Sequence, residues 1–565
     1  MITLRETATR ILISGSGGEL KLISDHFRFR PPDYWRSPRY QIYVESGGER
    51  GWNGFIYPAN RQHDGSLVLG RGHKDELIRL LSDEGVETDI EKLLESPFKG
   101  ITVDDIPDDI LPGFEHELDH DQRLCIAALL KHAFGCVRVT VSGGKTALFY
   151  SLAAMIRRRH PTARFLYLVP TERLVQQATE NGKTYLPEWD ITQFGGDKKD
   201  NTGKDVVVAT VATVTKRFEQ LKRDGWLKTF TGLLVDEAHH AASGKTWKEA
   251  ILSIPAFYRF GASDGLKNER KSDLELGITL RGLLGPERNS VLLMPLIRSS
   301  RVAKPYIYLV NVKGWSGRFD DVPHTPKPGT TAWAIIGDDW KKGTYVCPAF
   351  DVNEDDEFVE RSGWQRLMID DEEMEVESRW CLLKRAYDEG IIRFKERNEL
   401  VVQWAKHFSK QGKPTLVIAT RTPHVYILQT LLQEAGMEPR VLTGMSSSSE
   451  RDETFDWLVS TPGSILISPI VKEGVNLPEL RAGVIADSIA SPDLARQVIG
   501  RFIRKKPEGS NYAEVVMFVD RQYKSARHNS IALVRELENV RAYSFYYPCA
   551  GPDSIGKLYE ATDAR

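Results

Sequence analysis

At 565 residues the chain is too long for one hydrophobic core, and about three or four domains is the expectation. A hydrophobic share of 41% beside 27% charged residues is that of a soluble globular protein; no run approaches the roughly 18 apolar residues of a membrane span, and the N-terminus MITLRETATRILISG lacks a secretory pattern, so a cytoplasmic protein is expected. The net charge of −2 excludes a global positive field, so any nucleic-acid contact must come from local basic surface.

Residues 1–110 open the chain with a texture of their own. The run FRFRPPDYWRSPRYQIYVESGGERGWNG sets Arg28, Arg30, Arg36, Arg39 and Arg50 beside Tyr34, Trp35, Tyr40 and Trp52 among Pro and Gly turn signals. A small α+β accessory domain is expected here. Arginines can contact phosphates and exposed rings can stack on bases, which makes Arg28, Arg30, Trp35, Arg36 and Arg39 candidates for nucleic-acid contact. The other reading is that the rings form the domain's core while the arginines solvate it.

From 111 to 300 short β-branched runs, CVRVTV, RFLYLVP, DVVVATVAT and TGLLVDEA, alternate with helix-like stretches, the rhythm of a parallel α/β lobe. After the first run stands Val139-Thr140-Val141-Ser142-Gly143-Gly144-Lys145-Thr146, followed by the helix-like ALFYSLAAMIRRR. A glycine turn entering a helix aims backbone N–H groups and the positive end of the helix dipole at phosphate. Ser142, Gly143 and Gly144 would line that turn, Lys145 would reach the β- and γ-phosphates, and the Thr146 hydroxyl could ligate magnesium. The glycine usual six residues before the lysine is Val139 here. Further on, Leu233-Leu234-Val235-Asp236-Glu237 places two carboxylates at the end of an apolar strand, where parallel sheets bind ligands. Asp236 is placed to hold magnesium and Glu237 to deprotonate an attacking water.

Residues 301–379 hold Pro, Gly and aromatics (HTPKPGTTAWAIIGDDWKKG) and then acidic runs (DVNEDDEFVE, IDDEEMEVE). They read as a linker with an acidic, solvated insertion. A second α/β lobe is expected over 380–565, with KPTLVIAT, PRVLTG, GSILISP, RAGVIAD and AEVVMFVD as strands buried on both faces. The five cysteines, Cys125, Cys136, Cys347, Cys381 and Cys549, form no CxxC pair and read as buried free thiols.

Taken in order, these residues match a known pattern. Lys145-Thr146 and Asp236-Glu237-Ala238-His239 resemble motifs I and II of superfamily 2 helicases in the DEAH-box spelling. Val169-Pro170-Thr171 is similar to motif Ia and Ala209-Thr210-Val211 with Thr213 to motif Ib, which implies that Pro170, Thr171, Thr210 and Thr213 line a nucleic-acid track; read alone, each is a strand followed by a helix cap. Gly261-Ala262-Ser263-Asp264-Gly265 stands at motif III but departs from its usual spelling. Thr415–Ala419 resembles motif IV, and Glu473-Gly474-Val475-Asn476-Leu477-Pro478 resembles motif V, with Gly474 at the nucleotide. Gln497-Val498-Ile499-Gly500-Arg501-Phe502-Ile503-Arg504 resembles motif VI. That spacing sets Gln497, Arg501 and Arg504 on one side of a helix, suited to stabilising charge on phosphoryl oxygens. His120-Asp121-Gln122-Arg123-Leu124 is similar to the segment whose glutamine contacts adenine, here Gln122.

The resemblance covers 111–530 and implies two RecA-like lobes in tandem that hydrolyse ATP with Mg2+ between them, with Thr146 and Asp236 as metal ligands. Within the superfamily the N-terminal run and Arg393–Asn398 resemble UvsW-like phage helicases. This implies action on branched, single-stranded or duplex DNA, with RNA ranked below, in DNA recombination or repair; a phage or prophage source, in the host cytoplasm; and a monomer, with a single-strand-binding protein as candidate partner. Two other readings stay open: a duplex translocase or remodeller that does not separate strands, and a nucleic-acid-binding ATP switch.

Overall fold

The computed structural model describes residues 1–31, 34–140, 142–195, 203–243, 245–266, 274–312, 331–336, 339–352, 358–370, 372–377, 384–469, 477, 479–488, 492–507, 509–522, 524–540 and 542–560, with backbone alone over 331–365. The chain divides into two compact units, Met1–Leu293 and Met294–Arg565. No helix among the described residues is long and apolar enough to cross a membrane.

The first unit begins with a small mixed sheet of β1 (Ile2–Glu6), β2 (Arg10–Ser14), β3 (Asn60–Arg61), β4 (Leu67–Gly70) and β5 (Thr88–Lys92), ordered β3-β4-β2-β1-β5. Alternation along β1 and β2 turns Ile2, Leu4, Ile11 and Ile13 to one face. There they meet Leu20, Ile23 and Phe27 of helix Gly17–Phe27 and Leu77 and Leu81 of helix Lys74–Asp83. The first of these helices starts at a Ser16–Glu19 capping box, which satisfies two orphan N–H groups at once. The expected α+β accessory fold is therefore present.

A seven-stranded sheet follows: β6 (Phe134–Val139), β7 (Phe165–Val169), β8 (Ile191–Phe194), β9 (Val206–Thr210), β10 (Gly232–Asp236), β11 (Tyr258–Ser263) and β12 (Glu287–Val291). Its order is β12-β6-β11-β10-β7-β9-β8 and every pairing is parallel. Strands β7, β9, β10 and β11 are buried along their whole length, as helices on both faces of a parallel sheet require.

Within this unit the small sheet is fixed to the large one by buried charge. Glu6 lies on the core face of β1, and its two oxygens take Arg71 Nε at 2.6 Å and Lys74 Nζ at 2.6 Å. Arg71 Nη1 donates to the Phe257 carbonyl at 2.5 Å, and its guanidinium stacks on Phe134 and Phe257. Both rings stand at the amino ends of lobe strands. Gly72 lets the backbones touch, since a Cβ there would lie 1.7 Å from the Arg281 carbonyl oxygen. Arg281–Glu76 at 2.8 Å and Arg288–Asp75 at 2.9 Å flank the contact.

The second unit carries an eight-stranded sheet: β13 (Lys304–Asn311), β18 (Thr415–Ile418), β19 (Arg440–Val441), β20 (Ile465–Ser468), β21 (Ala482–Ile485), β22 (Tyr512–Val519), β23 (Ser544–Cys549) and β24 (Lys557–Tyr559), ordered β19-β20-β18-β21-β22-β13-β23-β24. Only the β23–β24 pair is antiparallel. The remaining strands, β14 (Thr331–Ile336), β15 (Asp339–Val352), β16 (Phe358–Ile369) and β17 (Glu372–Glu377), form a separate antiparallel sheet. Two parallel α/β lobes are thus observed, of the RecA-like kind. The stretch 301–379, read from composition as linker and insertion, differs. Residues 304–311 are a central strand between β22 and β23, because KPYIYLVN is apolar enough to be buried on both faces, and 331–377 supply the antiparallel sheet. In its acidic strand Glu372, Glu373 and Glu375 are exposed, the last paired with Arg366.

Replacing Arg71 by Ala leaves Glu6 buried with Lys74 as its one cation and the Leu94 N–H as its other donor, and opens a void between two rings. Destabilisation of about 3 kcal/mol is expected, read as a loss in chemical denaturation followed by a probe in the first lobe; a change below about 0.5 kcal/mol would show that this buried pair does not hold the two sheets together.

Candidate active site

β6 delivers its chain to the phosphate-type loop, and helix Lys145–Arg159 takes it away. Two left-handed residues make the turn, Ser142 at φ 63° and Gly144 at φ 82°. The helix has no side-chain N-cap, so its first N–H groups are left to the loop and to whatever the loop holds. Val139 closes β6 as a fully buried strand residue, and a Cβ on Gly143 would lie 2.8 Å from its Cγ1. The valine therefore fills the floor beneath the loop, and the demand for glycine falls on the residues after it.

Two strands away in the sheet, β10 ends at Asp236 and Glu237. Glu237 takes φ 46°, a strained conformation for a residue with a Cβ and of the kind found at working sites. Asp236 Oδ1 accepts from the Glu237 N–H at 2.8 Å. Lys145 crosses to this pair: its ammonium bonds Glu237 Oε1 and lies 3.6 Å from Asp236 Oδ1. Burial works to lower the Lys145 pKa, but the Glu237 and Asp236 carboxylates outweigh it and leave it raised. Burial likewise works to raise Glu237, and Lys145 holds it below the ordinary carboxylate value.

β11 supplies the third side. Ser263 Oγ donates to Glu237 Oε2 at 3.3 Å, meets His239 Nδ1 at 2.6 Å and accepts from Gly265 N at 3.1 Å. The segment at motif III thus places a hydroxyl against the end of β10 despite its unusual spelling. Beneath lies Tyr167, fully buried on β7, with its hydroxyl 3.5 Å from Asp236 Oδ2 and bonded to Thr146. Nothing in the apolar run RFLYLVP marked it; only the topology, which sets β7 beside β10, brings it here. Gln122 is buried at the start of helix His120–His132, its Oε1 accepting from Asp119 N at 2.9 Å and its Nε2 donating to the Gly143 carbonyl at 3.0 Å.

Of the residues expected along a nucleic-acid track, Thr171 caps helix Glu172–Tyr185 through the Leu174 N–H. Thr210 caps Val211–Lys216 through the Thr213 N–H, with the two threonine hydroxyls 2.9 Å apart. All stand at the carboxyl ends of β7 and β9, with Pro170 between strand and helix.

In the N-terminal domain the tyrosines pack on one another, Tyr34 against Tyr40 at 4.8 Å, while Trp52 Nε1 donates to the Phe55 carbonyl at 2.7 Å. Arg28 and Arg30 lie over the Phe55 ring, at 4.5 and 4.3 Å. Trp35 and Arg39 are exposed. Arg36 ends the short turn Tyr34–Arg36, and its side chain lies outside the described ones.

In the second unit Gln497 and Arg501 stand on helix Pro492–Phe502. Arg504 does not share that helix, contrary to the expectation from spacing. The helix ends at Phe502 because the backbone turns out to pair with the strand entry: the Ala303 N–H donates to the Ile503 carbonyl at 2.7 Å, and Arg504 bridges Val302. Burial, with the Arg501 guanidinium beside it, lowers the Arg504 pKa to about 10, and its buried Nε has no hydrogen-bond partner among the described residues. Such a group suits an anion. Gly474 lies outside the described residues.

Residues 115–263 match the family model for the res subunit of type III restriction enzymes, and 396–506 that for the helicase conserved C-terminal domain. No curated protein matches the sequence significantly. Among solved structures the chain is similar to UvsW of phage T4, with 15% identity, 96% of this chain and 98% of that one covered, and a TM-score of 0.42. It is also similar to the restriction-modification enzyme LlaBIII bound to DNA, with 11% identity, 82% and 33% covered, and a TM-score of 0.49. A third likeness is to S. cerevisiae Dbp5 bound to RNA and ADP BeF3, with 14% identity, 78% and 93% covered, and a TM-score of 0.46. The two domain matches fall one on each parallel α/β lobe: the chain carries the domains of an ATP-dependent helicase or translocase of nucleic acid.

Proposed function

We propose that this helicase acts on branched DNA intermediates of replication or recombination, in the cytoplasm of a phage-infected host, as a monomer. The observation that carries the ATP chemistry is the Lys145 ammonium set against both Glu237 and Asp236 at the carboxyl end of β10. Phosphate oxygens of bound ATP compete with Glu237 for that lysine. A Glu237 carboxylate released from the ammonium loses the charge that holds its pKa down while keeping the burial that raises it, and so becomes a better acceptor for the proton of an attacking water.

The N–H groups of Ser142, Gly143 and Gly144 cradle the phosphates, with Gly474 contributing from the second lobe. Thr146 and Asp236 would hold Mg2+, which would supply neutralising charge for the phosphate oxygens when bound. Arg501 and Arg504, with Gln497, stabilise the charge of the transferring phosphoryl group; the unpartnered buried Nε of Arg504 supports this. Supplying these groups from another lobe makes hydrolysis depend on closure, and alternate closing and opening gives stepping.

Pro170, Thr171, Thr210 and Thr213 contact the nucleic-acid backbone, mostly at phosphates, so sequence preference is small and salt dependence large. Residues 1–110 form the substrate domain, with Arg28, Arg30, Trp35, Arg36 and Arg39 as its contacts. Lobe one spans 111–300 and lobe two 380–565, with β13 added to it from the 301–379 connection.

ATP hydrolysis should be stimulated most by a four-way junction or single-stranded DNA, less by plain duplex and single-stranded RNA, and abolished in Lys145→Ala. Stimulation by duplex alone makes the chain a translocase, stimulation by RNA alone overturns the substrate assignment, and no hydrolysis under any condition favours an ATP switch. Glu237→Gln should retain ATP binding in a fluorescent-nucleotide assay and lose hydrolysis by at least about a hundredfold; turnover within a few-fold of the parent would remove Glu237 as the base.

A further inference from the structure

We propose that Tyr167 is a positioning residue for the metal ligands of the site, its buried hydroxyl setting the Thr146 hydroxyl and the Asp236 carboxylate toward one divalent cation. The proposal rests on the reading of Thr146 and Asp236 as ligands of Mg2+ and adds to it a residue that their motifs do not contain.

Tyr167 does more than fill the core. It stands in the middle of β7, where Phe165, Leu166, Leu168 and Val169 are fully buried and carry no polar side-chain atom. A phenol buried among them costs the desolvation of its hydroxyl unless that hydroxyl is bonded. Its ring is held edge-on by two rings of helix Lys145–Arg159, Phe149 at 5.2 Å and Tyr150 at 6.0 Å between centroids. Tyr150 directs its own hydroxyl elsewhere, to the Ala178 carbonyl at 2.8 Å. The Tyr167 hydroxyl instead meets Thr146 and Asp236, with Asp236 Oδ2 at 3.5 Å.

The direction of these bonds follows from the protons available. Burial pushes the Tyr167 pKa well above its ordinary value, so the phenol keeps its proton. That proton goes to Asp236 Oδ2, which leaves the phenolic oxygen to accept from the Thr146 hydroxyl. A hydroxyl that ligates a cation must point its proton away and a lone pair inward. Tyr167 takes that proton while it holds one carboxylate oxygen, and the Glu237 N–H fixes the other, Oδ1, at 2.8 Å. The donor set fits Mg2+, because a hydroxyl and one carboxylate are hard oxygen ligands and such an ion completes its shell with phosphate and water.

Tyr167→Phe keeps the ring and removes only the hydroxyl. Tyr150→Phe removes the neighbouring buried hydroxyl, which touches neither ligand, and controls for the general cost of such a loss. Binding of Mn2+, a paramagnetic stand-in for Mg2+, is followed by electron paramagnetic resonance on the full chain saturated with ADP. Binding of a fluorescent ADP is measured with all metal chelated, and thermal melting checks each fold. If Tyr167 positions the ligands, Tyr167→Phe weakens Mn2+ by about tenfold or more, the usual effect of losing an outer partner of a metal ligand, while its metal-free ADP affinity and the Mn2+ affinity of Tyr150→Phe stay within about twofold of the parent. An unchanged Mn2+ affinity in Tyr167→Phe, or an equal loss in both variants, overturns the proposal. A parent that binds ADP without taking up Mn2+ overturns the reading of Thr146 and Asp236 as metal ligands and this proposal with it, an outcome distinct from a loss confined to the variant.

Discussion

The candidate site depends on one buried cation held against two carboxylates. Lys145 begins the helix after β6 and reaches Glu237 and Asp236 at the end of β10, with β11 lying between the two strands. Only a parallel sheet brings these residues together, because it puts the carboxyl ends of all its strands on one side. Neither charge is tolerable alone in such a place: burial works against the ammonium and against the carboxylate, and each is kept ionised by the other. The arrangement is poised. A phosphate that takes the lysine leaves a buried carboxylate short of its partner, and that is the condition under which a carboxylate becomes a base.

The arginines of the second lobe follow the same logic with the sign reversed. Arg504 is buried beside Arg501 and its pKa is lowered to about 10, a cost that the described residues do not offset at its Nε. Its position is set by chain direction more than by helical spacing. The helix stops at Phe502, and Arg504 is carried on an extended backbone paired to Val302, at the entry of β13. The strand that composition assigned to a linker is therefore what fixes this arginine, and β13 sits between β22 and β23 in the sheet.

Much of the fold was legible because burial on both faces leaves a plain mark: VVVAT, GLLVD and TLVI are runs that only a covered parallel strand accommodates. Lys145, Asp236 and Glu237 were legible because glycine turns and strand-end acids are rare in combination. What escaped was whatever depends on a partner remote in sequence. Tyr167 looks like any core residue until β7 is set beside β10. β12, ERNSV, is polar at all but its last residue and is a strand because β6 pairs with it. Gln122 carries two legible signals, a cap and a motif, and the geometry shows both ends of its amide in use.

Val139, where the loop pattern has a glycine, shows how sequence and geometry can disagree without loss. A glycine is needed where φ is positive or where a Cβ would collide. Val139 meets neither condition, being the last extended residue of β6, paired in register with Val291. The turn itself lies at Ser142 and Gly144, both left-handed, and the Val139 side chain closes the space under Gly143. The strand thus runs through Val139 before the loop begins, and the Gly143 carbonyl in the turn accepts from the Gln122 amide. Ser263 makes the parallel case at the end of β11: its segment is spelled differently from the family's, yet a hydroxyl still stands between His239 and Glu237. Position and hydrogen-bonding capacity are what the site requires, and more than one spelling meets that requirement.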